Sequence, residues 1–115
     1  LLIGNGRVIT APGITISYDI TGNRPYIEKN PDSVLLKNLK EAIEAETKQK
    51  AVFKAFTGYT DTAVIAGKLH NTECMSYGPG SLQYAHKPDE FVEIRDIIRC
   101  EKVINHLVMS LCGEK

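Results

Sequence analysis

A chain of 115 residues, 43% hydrophobic and 24% charged, holds one small domain at most, and a compact domain of that size buries roughly two thirds of the surface its unfolded form exposes. With 14 Lys and Arg against 14 Asp and Glu the formal charge is zero, which excludes a basic field for nucleic acid and an acidic solvating arm. No apolar stretch approaches the roughly 20 residues of a transmembrane helix, and Leu1-Leu2-Ile3-Gly4-Asn5-Gly6 lacks the basic and long apolar regions of an export signal.

Arg7 to Thr10 and Ile14 to Ile20 are short β-branched runs broken by Gly4, Gly6, Pro12-Gly13 and Gly22-Asn23, the texture of turn-punctuated strands. The texture changes at Asn30-Pro31-Asp32 to helix, strand, helix, strand, helix. A first helix starts at Asp32 or Ser33, either of which can cap, and ends near Gln49 with Leu36, Leu39 and Ile43 on one face. Ala51 to Phe56 is an apolar run of strand length covered on both faces. Thr60 or Asp61 caps a second helix, whose small-residue face is Ala63, Ala66 and Leu69. Glu73 to Tyr77 is the next strand, stopped by Gly78-Pro79-Gly80, and Ser81 to Glu90 has turn chemistry. The last helix spans about Arg95 to Leu111, with Ile97, Cys100, Ile104, Leu107 and Leu111 at helical spacing. Strands alternating with helices imply an α/β fold: a partial parallel sheet with flanking helices, preceded by short strands, whose functional loops lie at the carboxyl ends of the strands. Those loops are Thr57 to Asp61 and Gly78 to Glu90.

Within them, Gly78-Pro79-Gly80 reads either as a strand-ending turn or as a backbone path that lets a ligand reach main-chain N–H groups. His86, in Ala85-His86-Lys87-Pro88-Asp89-Glu90, is either a surface residue or a ligand or titrating group facing a cleft. His70, at a helix end, and His106, within a long helix, read as structural. Cys74, Cys100 and Cys112 are odd in number and widely spaced, which fits reduced cytosolic thiols rather than a zinc ribbon or a disulfide scaffold. The expected location is cytoplasmic; the chain begins at Leu1 rather than Met, which leaves upstream targeting open.

Gly78-Pro79-Gly80 followed by Tyr84-Ala85-His86-Lys87-Pro88-Asp89-Glu90-Phe91-Val92-Glu93-Ile94 closely resembles the C-terminal signature of the acetylornithine deacetylase, succinyl-diaminopimelate desuccinylase and aminoacylase family of dinuclear-zinc metallopeptidases. Upstream, Gly58-Tyr59-Thr60-Asp61-Thr62-Ala63 resembles that family's G-[GT]-[ST]-D-A turn, and Asn30-Pro31-Asp32-Ser33 with Leu35-Leu36 resembles the entry to the helix after its lid domain. Tyr59 and Thr62 differ from the commonest residues of the turn.

The resemblance implies that His86 is the final ligand of a two-metal site holding zinc, with cobalt as a substitute, and that Thr60, Asp61, Gly78 and Gly80 border the substrate. It makes Glu90 a residue that supports the ligand, as metal-bound histidines require. The family's other ligands and its general base belong to a segment before the lid domain that these 115 residues do not contain, so no catalytic residue is expected here and the isolated chain is expected to be inactive. Residues 1–30 then correspond to the end of a lid or dimerisation domain and residues 31–115 to the C-terminal portion of a catalytic α/β domain. The implied substrate is an N-acyl amino acid or small peptide; an open sheet edge favours a homo-oligomer, and neither nucleic acid nor membrane is a partner. The rival reading is a non-catalytic α/β module that binds a ligand or partner chain through the same loops. A nucleotide-binding fold is third, since no GxGxxG or GxxxxGK[ST] opens either helix.

Overall fold

The computed structural model describes residues 10–23 and 25–113, so the expected strand residues Arg7 to Ile9 lie outside it. Pro12 and Gly13 join β1 (Thr10–Ala11) to β2 (Ile14–Thr15), an antiparallel pair with Thr10 opposite Thr15 and Ala11 opposite Ile14. Gly13 takes φ 78°, so Pro followed by a left-handed Gly has the pattern of a type II turn. Such a turn twists against the twist of paired strands, in keeping with arms of only two residues. Residues 16–20 do not extend the second strand.

Helix α1 (Val34–Thr47) starts directly after Pro31-Asp32-Ser33, and Ser33 rather than Asp32 is its cap. The Ser33 Oγ accepts the Leu36 N–H at 2.9 Å, while the Asp32 N–H donates to Asn30 Oδ1 at 3.1 Å. Two further N–H groups of the first turn, those of Val34 and Leu35, donate to the Glu73 carboxylate at 3.2 and 2.8 Å. The helix closes at Lys48, whose left-handed backbone (φ 57°) lets its N–H donate to the Glu44 carbonyl at 3.0 Å.

Helix α2 (Asp61–Leu69) buries the small-residue face expected of Ala63 and Ala66 but leaves Leu69 exposed. A Cβ at Gly67 would collide with the Pro25 ring, so glycine is what lets the preceding loop lie against this helix. His70 ends α2 with φ 49° and an N–H donated to the Ala66 carbonyl, the structural role expected of it.

Helix α3 (Ile94–Cys112) packs on α1, and α2 packs on neither. Their shared core is Leu39, Ala42 and Val103, with Ile43, Met75 and Leu107 partly buried around it. His106 Nδ1 reaches Glu46 Oε1 at 3.0 Å across the same pair. The expected apolar stripe of α3 is split. Cys100 is buried with Val103, whereas Leu111, Ile104 and Ile97, turned roughly 20°, 40° and 60° from Cys100 on the side away from Val103, are exposed because α1 covers only one arc of the helix.

The two strands expected at residues 51–56 and 73–77, and with them the partial parallel sheet, are not formed among the described residues. A parallel strand needs a ladder partner beside it, and these segments are not paired with each other. Val52, Phe53 and Phe56, expected to be covered on both faces, are exposed. Residues 73–77 still alternate as a strand does. Glu73 meets the start of α1, Met75 enters the α1–α3 core, and burial with the neighbouring Cys100 pushes the Tyr77 phenol above its ordinary range, with Arg99 opposing. Ser76, between the last two, meets α2 instead.

The accessible surface is 10001 Å², against roughly 6,200 Å² for a compact monomer of this mass and roughly 18,400 Å² unfolded, so less than half is buried rather than two thirds. The radius of gyration, 19.8 Å, likewise exceeds the about 13 Å of a compact domain of similar length. No helix among the described residues is long and apolar enough to cross a membrane.

Candidate functional site

Two loop clusters contain the residues singled out by sequence. The first is the start of α2, where Thr60 is extended (φ −133°, ψ 159°) and Asp61 is the first helical residue, its acid favourably placed at the positive end of the helix dipole. Thr60 does not use its hydroxyl as a cap; Thr60 Oγ1 and Thr62 Oγ1 lie 3.4 and 3.3 Å from Ser76 Oγ. That contact brings the Thr60-Asp61 turn beside the chain leading into Gly78. Gly78 has open space within 4 Å of where a Cβ would stand. Gly80 differs: its φ of 84° and the Val92 side chain pressed against it make it a turn glycine.

The second cluster is residues 81–91, a chain of successive turns. The N–H groups of Tyr84, Ala85, Lys87 and Glu90 donate to the carbonyls of Ser81, Leu82, Tyr84 and Lys87 at 3.1 to 3.3 Å. His86 has a left-handed backbone (φ 60°), and its N–H donates to Glu90 Oε2 at 3.1 Å. Glu90 thus grips the main chain of His86 rather than its ring. Tyr84 and Phe91 close the loop with ring centroids 4.6 Å apart, and the His86 side chain stands exposed. No hydrogen bond links His86 to the Thr60 turn among the described residues.

A catalytic zinc takes about three protein ligands. Among the described residues no group of three or more His, Cys, Asp or Glu side chains could hold a metal ion, and His86 offers one imidazole. The donor set of these residues does not by itself fit zinc or cobalt. Cys74, Cys100 and Cys112 are unbridged; burial pushes the Cys100 thiol up, with Arg99 opposing.

Glu73 is the residue that sequence reading missed. Besides the Val34 and Leu35 N–H groups it accepts from Ser33 Oγ at 2.7 Å and from Asn30 Nδ2 at 3.2 Å, and Asn30 Nδ2 also reaches Thr72 Oγ1 at 3.0 Å. The Leu35 N–H first, then the Ser33 hydroxyl, hold this carboxyl below its ordinary range against a smaller cost of burial. Only the cap sequence at Ser33 hinted that a further acceptor was needed.

The profile of peptidase family M20/M25/M40 matches residues 3–110. The chain belongs to this family. The M20 chain is 28% identical over 101 residues to the LysW-lysine hydrolase of Deinococcus radiodurans, covering 88% of this chain and 27% of that protein. It is 39% identical over 41 residues to the acetylornithine deacetylase of Myxococcus xanthus, covering 36% of this chain and 11% of the relative. Over 80 residues it is 29% identical to a probable succinyl-diaminopimelate desuccinylase of Staphylococcus aureus, covering 68% and 20%. The M20 chain therefore spans about a quarter or less of the length of these relatives. No solved structure matches it significantly.

Proposed function

We propose that this chain is the C-terminal part of a cytoplasmic, metal-dependent amidohydrolase that removes an acyl group from an N-acyl amino acid or small peptide. His86 supplies one ligand to a zinc site, in which cobalt can substitute, and the remaining ligands and the general base come from outside these 115 residues. Thr60, Asp61 and Gly78 border the substrate, and Gly80 shapes the bend beside them. Glu90 holds the His86 backbone in the conformation that presents the imidazole. Residues 1–30 end a lid or dimerisation domain, and residues 31–115 complete a catalytic α/β domain in which residues 51–56 and 73–77 join a parallel sheet. The alternation of Glu73, Met75 and Tyr77 against Ser76 supports that last assignment, since it puts α1 and α3 on one side of the segment and α2 on the other. The complete protein is a homo-oligomer.

The observation that carries the reading is the family match over residues 3–110, joined to the contact of Thr60 and Thr62 with Ser76 that sets the family's turn beside its Gly78-Pro79-Gly80 bend. The test is His86→Ala in the protein at its natural length, with metal content and turnover of N-acyl amino acids measured together. The expected result is loss of one of two bound metals and a fall in turnover of more than about a hundredfold, beyond the loss typical of a mere supporting partner. Two retained metals with normal turnover would overturn the assignment and favour the non-catalytic module.

A further inference from the structure

Four donors converge on Glu73, yet α1 already has a local cap in Ser33. What Glu73 does that a local cap cannot is tie the start of α1 to a segment about forty residues further on. From there the chain is short and straight in its dealings. Met75 is packed into the α1–α3 core, and Ser76 touches the hydroxyls of Thr60 and Thr62, two residues before Gly78. Three residues of extended chain span about 10 Å, too little for slack between the two attachments. Helix α2 has no packing on α1 or α3. Its far end rests near Pro25 at Gly67, and its near end is joined to residues 73–77 by the Ser76 hydroxyl.

We propose that Glu73 is a positioning residue of the candidate site: by anchoring residues 72–76 to the N-terminus of α1 it sets where Ser76 stands, and through Ser76 the place of the Thr60-Asp61 turn relative to Gly78. The proposal rests on the reading of those residues as substrate-bordering for its functional consequence, but not for its geometry.

Hydrogen exchange read by mass spectrometry on the full chain separates this role from simple capping. Glu73→Gln keeps the side-chain shape but turns one accepting oxygen into a donor facing other donors. It should speed exchange at least about threefold in residues 34–37 and also in residues 61–66, while residues 103–107 of α3 keep their wild-type rate. Ser76→Ala should speed residues 61–66 alone, and adding it to Glu73→Gln should change them little further. Faster exchange confined to residues 34–37 in Glu73→Gln would reduce Glu73 to a cap and overturn the proposal, as would unchanged rates everywhere. If Glu73→Gln raises exchange in α3 as well, Asn30→Ala, which removes one donor and leaves the acid, takes its place with the same two outcomes. In the protein at natural length, Glu73→Gln should raise KM severalfold with kcat little changed. Loss of residues 61–66 protection in a protein with no deacylase activity would refute the functional reading and leave the positioning role intact.

Discussion

Three residues other than glycine have a left-handed backbone among those described: Lys48, His70 and His86. Lys48 and His70 end helices, where that conformation lets the N–H reach back to a carbonyl of the last turn. His86 ends no helix. A side chain in this region costs about 1 kcal/mol, so it persists only where neighbours hold it, here the Glu90 carboxylate on its N–H within the loop that the Tyr84–Phe91 ring pair closes. The His86 side chain is left exposed. Gly80 is the complementary case, since it has the same type of backbone and a Cβ there would press on the Val92 side chain at 3.3 Å. Gly80→Ala should therefore destabilise the chain by about 1–2 kcal/mol, read as a lower urea midpoint with an unchanged slope, whereas Gly78→Ala, with open space around it, should fall within about 0.5 kcal/mol of wild type. Equal costs at the two positions would contradict the geometry. Turn glycines and the Ser33 cap were readable because their chemistry is local. Glu73 was not, because nothing in its own neighbourhood announces donors some forty residues away.

At the scale of elements, all three helices were readable from apolar spacing and cap residues, and their ends fall within about two residues of expectation. The early strands were readable in part, since Thr10 and Ile14–Thr15 do pair, but the two strands expected after α1 were not. Residues 51–56 and 73–77 have the composition of strands, but a ladder depends on what lies alongside, which composition does not encode. The packing of α3 was half readable: its apolar arc is wider than the single helix that covers it, so spacing alone could not say which part is buried. The start of α1 also makes the element sensitive to acid. Because its donors hold the Glu73 carboxyl below the ordinary glutamate value of about 4.3, the folded form binds that proton less readily than the unfolded form. The stability contributed by Glu73 is thus fully present above the ordinary value and is lost as pH falls through the lowered one. Circular dichroism at 222 nm should show α1 loosening in that acid window for the wild type, and the loss attributable to this site should vanish in Glu73→Gln. Superimposable acid profiles for the two proteins would show that the carboxylate contributes nothing through its charge.

Across the whole molecule the decisive quantities are surface and shape. Among the described residues the buried apolar ones are Leu39, Ala42, Ala63, Ala66, Cys100 and Val103, most of them small, while Val52, Phe53, Phe56, Ile65, Leu69, Ile97 and Ile104 stand exposed. Monomeric proteins rarely expose contiguous apolar area of more than a few hundred Å², because water gains by its removal about 25 cal/mol for each Å². Residues 73–77 add backbone groups with no ladder partner, which favours pairing with another chain. Both effects act in the same direction and neither is opposed by net charge, which is zero. The 115-residue chain by itself should therefore associate as its concentration rises. Light scattering from about 1 to 100 μM, a range that brackets typical weak association, should show a mass climbing above 12.7 kDa, with the far-ultraviolet spectrum gaining strand signal as it does. Ile97→Lys with Ile104→Lys, placed on the uncovered arc of α3, should shift that rise to higher concentration without unfolding the helix, since neither residue is in the core. A monomer of constant mass over the whole range would mean that the exposed apolar faces are accommodated within one chain, against the surface and radius found here.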